Sequence, residues 1–204
     1  MTRRVAIYAL SFFFLLTCSR AAHAQSTADM QAFLNAGHLT AAERVIHAVV
    51  VGGDTAVIGA PTEDGVLANA DSPSLEDSGS AYVFTRTDGG WTLQAHLTAS
   101  DAAEFDHFGN SVAICGDTVV VGAQFANVGD NANQGSVYVF TRNGTAWTEQ
   151  AHLIASDGAA DDLFGNTVAI EGDTISVTVP QEVGAAAQRP PYVFTRSGMV
   201  WAPQ

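Results

Sequence analysis

With 204 residues and 21 acidic side chains against eight basic ones, the chain carries a formal net charge of −13. Every one of those eight cations is an arginine. Such acidity excludes nucleic acid and anionic membrane surfaces as partners, and it suits cations or plain solubility outside a cell.

The chain opens on Arg3 and Arg4, continues through the apolar run Val5 to Thr17, and reaches small residues ending Ala22-His23-Ala24. A basic start, an apolar stretch and a small-residue cleavage site predict an export signal over residues 1–24. Leu15-Leu16-Thr17-Cys18 offers a rival, lipoprotein-type site that would leave a lipidated Cys18. Either way the chain is expected to be exported, to become secreted, periplasmic or surface-held. No later stretch approaches the ~18 apolar residues of a membrane helix. Loss of the leader would leave Cys115 as the one cysteine, so no intramolecular disulfide is expected. Within Val112-Ala113-Ile114-Cys115 it reads as a small buried hydrophobe.

After a lead-in over residues 25–37, His38-Leu39-Thr40 begins a region that repeats itself to residue 204, with echoes at His96-Leu97-Thr98 and His152-Leu153. Gly53-Asp54-Thr55 returns at Gly116-Asp117-Thr118 and Gly172-Asp173-Thr174. Tyr82-Val83-Phe84-Thr85-Arg86 returns at Tyr138 to Arg142 and Tyr192 to Arg196, and Trp91 returns at Trp147 and Trp201. A fixed period filled with short strand-like runs marks a repeat architecture.

The second copy shows the unit best. Asn110 to Cys115 alternates, Gly116-Asp117 makes a tight hairpin turn, and Thr118 to Ala123 is an apolar run suited to a strand covered on both faces. A polar loop from Asn127 to Gly135 leads into Ser136 to Arg142. Asn143-Gly144-Thr145 then turns the chain into a fourth strand, Trp147 to Leu153. Four antiparallel strands in one period are the content of a propeller blade, and the aromatic residues at strand spacing read as packing between blades. The expectation is therefore an all-β fold of about three blades, near residues 45–97, 108–153 and 164–204. Closed propellers have about 4–8 blades, so an incomplete or open propeller is predicted. Open blade faces would favour self-association.

The copies differ. The first has Val45-Ile46 where the second has Phe108-Gly109, and a longer loop. The third has Thr178-Val179-Pro180 in place of Gly122-Ala123-Gln124, and Arg189-Pro190-Pro191 where the others have a Gly-Ser pair. Prolines there remove hydrogen-bond donors and suggest an edge or a degraded blade.

Phe108-Gly109 followed by Gly122-Ala123-Gln124, Phe164-Gly165 followed by Thr178-Val179-Pro180, and the intact Gly59-Ala60-Pro61 together resemble FG-GAP repeats. These are the units of the integrin alpha-chain propeller and of many secreted bacterial proteins. The resemblance implies an extracellular or cell-surface interaction or adhesion scaffold that engages a protein or glycan. It also implies calcium in the loop after Gly-Ala-Pro, because calcium takes six to eight oxygen ligands that closely spaced Asp and Asn can supply. The matching residues are Asp130, Asn131 and Asn133 in the second copy and Asp64 in the first.

Nothing in the spacing singles out a catalytic set. Ser80 and Ser136, like His96 and His152, recur from copy to copy and read as scaffold, Asp106 and Asp162 recur before Phe-Gly with the choice open between capping the turn and neighbouring a cation, and His107 is unmatched. A non-enzyme is expected. Two alternatives stay open, a fragment of a larger propeller-containing secreted hydrolase and a truncated remnant without independent activity.

Overall fold

The computed structural model describes residues 46–65, 75–88, 90–180 and 189–204. The leader, the lead-in and His38-Leu39-Thr40 lie outside these residues. The described chain is all-β, with twelve strands in three four-stranded antiparallel meanders and none closed into a barrel. The first sheet holds β1 (Ala48–Gly52), β2 (Thr55–Ala60), β3 (Ser80–Thr87) and β4 (Gly90–Leu97). The second holds β5 (Phe108–Cys115), β6 (Thr118–Ala123), β7 (Ser136–Asn143) and β8 (Ala146–Leu153). The third holds β9 (Thr167–Glu171), β10 (Thr174–Thr178), β11 (Tyr192–Ser197) and β12 (Val200–Pro203). This is the open propeller-type stack of three blades that the repeats predict.

Each Gly-Asp pair closes a two-residue hairpin. Gly52 pairs with Thr55, Cys115 with Thr118 and Glu171 with Thr174. The glycine takes the left-handed conformation such turns need, with φ of 61°, 58° and 55° at Gly53, Gly116 and Gly172.

Two apolar cores lie between successive sheets. Val57, Ala81 and Val83 of the first sheet meet Phe108, Val119, Val121, Tyr138 and Phe140 of the second. Val120, Val137 and Val139 meet Phe164, Val168, Ile175, Val177 and Phe194 of the third. Because β6 contributes alternate residues to both cores, it must be apolar on both faces, which is why Thr118 to Ala123 is buried throughout. Phe108 and Phe164 are completely buried, each worth roughly 2–3 kcal/mol in area removed from water. Each leans on the tyrosine and phenylalanine of its own sheet, with ring centroids 5.5 and 6.0 Å apart for Phe108 and 5.2 and 6.1 Å apart for Phe164.

Backbone meets backbone where the glycines lie. A Cβ added to Gly59 would stand 1.9 Å from the carbonyl oxygen of Gly109, and one added to Gly122 would stand 2.2 Å from that of Gly165. A Cβ added to Gly79 or Gly135 would stand as close, 2.1 Å from the carbonyl oxygen of Phe108 or Phe164. The Phe-Gly pair of one blade thus seats on the glycines of the blade before it, an approach that any side chain would prevent.

Cys115, at the rim end of β5, is half-buried rather than fully buried, and its sulfur accepts the Gly172 N–H at 3.3 Å.

The glycine contact yields a direct expectation. Gly122→Ala should lower stability by about 2 kcal/mol or more in urea unfolding, since the added methyl meets a carbonyl that cannot move aside. Gly144→Ala, at a turn with open space and φ of 64°, should cost only about 1 kcal/mol. Equal losses would remove the close approach as the joint between blades.

Candidate functional site

In a meander the two kinds of connection fall on opposite rims. The described parts of the connections between the second and third strands of each sheet (61–65 and 75–79, 124–135, 179–180 and 189–191) share one rim with the inter-blade linkers 98–107 and 154–166, and the tight turns occupy the other.

On the long-loop rim each linker is strapped to the preceding blade by three backbone hydrogen bonds. Phe105, His107 and Phe108 donate to the carbonyls of Glu76, Asp77 and Ser78, and Asp161, Leu163 and Phe164 donate to those of Ala132, Asn133 and Gln134. The strap bends the chain into positive φ at Asp77 (47°), Asn133 (52°), Phe105 (67°), His107 (55°), Asp161 (64°) and Leu163 (55°). Asp, Asn and His tolerate this conformation, whereas Phe105 and Leu163 hold it at a cost of about 1–3 kcal/mol each. Phe105 is nonetheless 48% exposed, an aromatic side chain held outward by a strained backbone.

The four residues expected to bind calcium divide between two loops. Asp64 Oδ1 accepts the N–H of Asp77 at 3.0 Å, and Asn127 Oδ1 does the same for Asn133 at 2.9 Å, so Asp64 matches Asn127 in role. Asn131 donates to Gln134 Oε1 at 2.8 Å and to the Gly158 carbonyl at 3.2 Å. Asn133 donates to Asp161 Oδ1 at 2.8 Å, across to the linker. Asp130 is exposed beside them. The structure therefore keeps Asp130, Asn131 and Asn133 in one loop and places Asp64 in another. Among the described residues no group of three or more His, Cys, Asp or Glu side chains is placed to hold a metal ion.

Beneath the linker lies a set of polar groups, of which sequence reading had assigned Ser136 and His152 to scaffold one residue at a time. Tyr138 donates to Asp101 Oδ1 at 2.8 Å and stacks on His152, with ring centroids 4.5 Å apart. His152 Nδ1 lies 3.6 Å from Asp101 Oδ2, and its Nε2 lies 2.9 Å from Ser136 Oγ. Ser, His and Asp in this order have the connectivity of a hydrolytic triad. Ser136, however, is 1% exposed, and its hydroxyl faces packed protein. Ser80 and His96 repeat the pair at 2.8 Å, with His96 stacked on Tyr82. The third copy keeps the tyrosine bond, Tyr192 to Asp157 at 2.9 Å, but has Pro190 in place of the serine. The recurrence of Asp101 as Asp157 in the segments 96–101 and 152–157 was the signal available for this contact.

Asp106 and Asp162 show how one position can acquire opposite electrostatics. Both carboxylates cap the linker turn, Asp106 accepting from Ala103 N–H and Asp162 from Ala159 N–H, each at 2.8 Å. Burial pushes Asp106 up to about 6 from the ordinary 3.8, the Ala103 bond only partly opposing it and the charge of Asp101 adding to it. Burial also raises Asp162, but hydrogen bonds from Arg189 and Ala159 outweigh that and leave it below the ordinary value.

The opposite rim carries a repeated latch. Arg86, Arg142 and Arg196 each pair with the aspartate of their own sheet's Gly-Asp turn, Asp54, Asp117 and Asp173. Each guanidinium also covers the tryptophan of its own sheet, 5.1–5.7 Å from the ring centroid. Arg142 reaches back to Thr55 Oγ1 at 3.1 Å and Arg196 to Thr118 Oγ1 at 3.2 Å, tying each blade to the one before. Trp147 and Trp201 add bonds to Gln94 and Gln150 at 2.7 and 3.0 Å. A polar groove of about 500 Å³ between the second and third blades is lined by Cys115, Asp117, Arg142, Asp173 and Arg196 among others, its charges already mutually paired.

A model of the FG-GAP repeat matches residues 91–140 and 147–188. These residues are FG-GAP repeats. Each FG-GAP match runs from the fourth strand of one blade into the next blade, so the family unit encloses the whole inter-blade joint described above. No curated protein matches the chain.

The buried carboxyl of Asp106 makes stability depend on pH. Its native pKa lies above its unfolded one, so the native state retains a proton that the unfolded chain loses between about pH 4 and 6. Stability therefore falls as pH rises through that window and remains lower above it. Asp106→Asn should melt at a higher temperature than the parent at pH 7.5, with at most about 3 kcal/mol at stake, and at the same temperature at pH 4. An equal shift at both pH values would show that the carboxyl is not protonated in the fold.

Proposed function

We propose that this FG-GAP repeat protein is an exported, non-catalytic interaction scaffold that engages a protein or glycan through its long-loop rim. Three things support the reading. FG-GAP repeats are typical of extracellular and cell-surface proteins, the chain begins with a leader-like segment, and its recurring polar residues serve as inter-blade fastenings. The observation that carries the placement is Phe105, which stands exposed at φ 67° where the third copy has Asp161. Strain concentrated at an outward-facing aromatic is the mark of a contact residue. Ile154, 41% exposed on the following linker, extends the same rim.

Calcium has its place in this reading at the second loop, where the Asp130 carboxylate and the side-chain oxygens of Asn131 and Asn133 are the donors. Asp64, already bonded to the Asp77 amide, serves its own loop.

N-terminal sequencing of the exported product should begin at Gln25. Labelled chain should bind arrayed glycans or biotinylated surface proteins at least tenfold more strongly than Phe105→Asp, with both proteins melting alike. Binding that ignores the substitution would move the site off this rim, and no binding at all would overturn the scaffold reading. Millimolar calcium should raise the melting temperature of the parent and leave the Asp130→Ala, Asn133→Ala double variant unchanged. An identical response in both would remove calcium from this loop.

A further inference from the structure

The face by which the first two blades receive the next one has been rebuilt in the third. Strand β10 sends Ile175 and Val177 into the second core, so Ser176 and Thr178 point to the opposite side of the sheet. Thr178 pairs with Thr167 as Gly122 pairs with Ser111 and Gly59 with Ala48. A threonine therefore occupies the place where a Cβ would lie 1.9–2.2 Å from the carbonyl of an incoming Phe-Gly glycine.

The second close approach is lost as well. Arg189 stands three residues before Tyr192, as Gly79 and Gly135 stand three before Tyr82 and Tyr138. At those glycines a Cβ would lie 2.1 Å from the carbonyl of the incoming phenylalanine. Arg189 is also held in place, bonded to Asp162 Oδ1 and to the Tyr192 hydroxyl and lying 5.8 Å over the Tyr192 ring.

The apolar drive is weakened with the glycines, although Val193 keeps the place of Val83 and Val139. Ser176 replaces the fully buried Val57 and Val120, and Pro191 replaces the buried Ala81 and Val137. Thr174 is exposed, whereas Thr55 and Thr118 at the same position each accept an arginine from the following blade.

We propose that the third blade is a terminal cap, closed to any further Phe-Gly-bearing blade from the same chain or from a second copy. The obstruction is Cβ against carbonyl, with no flexible side-chain tip to yield. The self-association expected from open blade faces cannot use this sheet, and a partner of the stack must approach at a rim or at the first blade. Polar outer faces on terminal repeats serve this purpose in stacked arrays, where they keep the stack soluble.

The test appends a second copy of residues 98–153 after Gln204 of the full chain, in the parent and in a Ser176→Val, Thr178→Gly, Arg189→Gly variant. Limited proteolysis should strip the appended blade from the parent and leave the original chain intact. In the variant the appended blade should survive at least tenfold longer. Survival in the parent equal to that of the second blade itself would overturn the cap. Rapid loss from both proteins would overturn the assignment of the block to these three residues.

Discussion

Everything in this chain depends on a contact that excludes side chains. Where Gly59 meets the carbonyl of Gly109, and Gly122 that of Gly165, the blades touch through bare backbone. That approach sets the sheet spacing, and the spacing lets Val57 reach Phe108 and Val120 reach Phe164 in closed cores. A wider joint would leave gaps around the phenylalanines, and a gap of under an ångström already forfeits much of the dispersion between packed groups. The two halves of the repeat motif are therefore one device divided between neighbouring blades. The glycine of one half makes the seat, and the Phe-Gly of the other half occupies it.

The polar chemistry follows from the same geometry. Once the sheets are stacked, the linker must cross from the end of one blade to the start of the next, over the edge of the core. The tyrosine hydroxyl that would be stranded there is satisfied by the linker aspartate, Asp101 for Tyr138 and Asp157 for Tyr192. On the far rim the arginine latch is solvent-facing, so each ion pair contributes less than about 1 kcal/mol, and the tryptophan beneath adds about as much again. Individually these are weak. Their value lies in direction, since Arg142 and Arg196 each reach backwards to a threonine of the previous sheet and so favour one order and orientation of stacking. Serine, histidine and aspartate assembled on a sheet face resemble catalytic machinery, yet a serine that is 1% exposed is an anchor for its histidine.

Much of this was legible because the sequence repeats. The hairpin turns, the doubly buried β6 and the four-strand unit follow from periodicity and turn chemistry at Gly116-Asp117 and Thr118 to Ala123. The purpose of the recurring Asp54, Asp117 and Asp173 and of Arg86, Arg142 and Arg196 was not legible, although both series are plain in the sequence. Repetition shows that a residue matters to the unit without showing which other residue it meets 23–32 positions away. The loops were harder still. Asp and Asn suggested metal ligands by type, but Asp64 and Asn127 turn out to share one task, fastening the positive-φ residues Asp77 and Asn133. An aspartate and an asparagine serve equally there because only a carbonyl-like oxygen is required.

What distinguishes one copy from another then deserves a different reading from what unites them. At the position of Phe105 the next copy has Asp161, and at the position of Gly135 the next has Arg189. The first change alters what the rim shows to solvent, while the second supplies a guanidinium to an aspartate that in the previous copy has none. Burial leaves Asp106 the site with the raised pKa, and the Arg189 and Ala159 hydrogen bonds leave Asp162 the site with the lowered one. The rim position of Phe105 can vary without endangering the stack, because the glycine seat, the aromatic core and the arginine latch lie elsewhere on the blade, whereas Arg189 replaces a seat glycine that only a following blade would use. Individual function in a repeat protein is therefore to be sought where the repeat is broken on an exposed surface. In this chain that criterion selects the linker around Phe105 rather than the residues that first suggest chemistry.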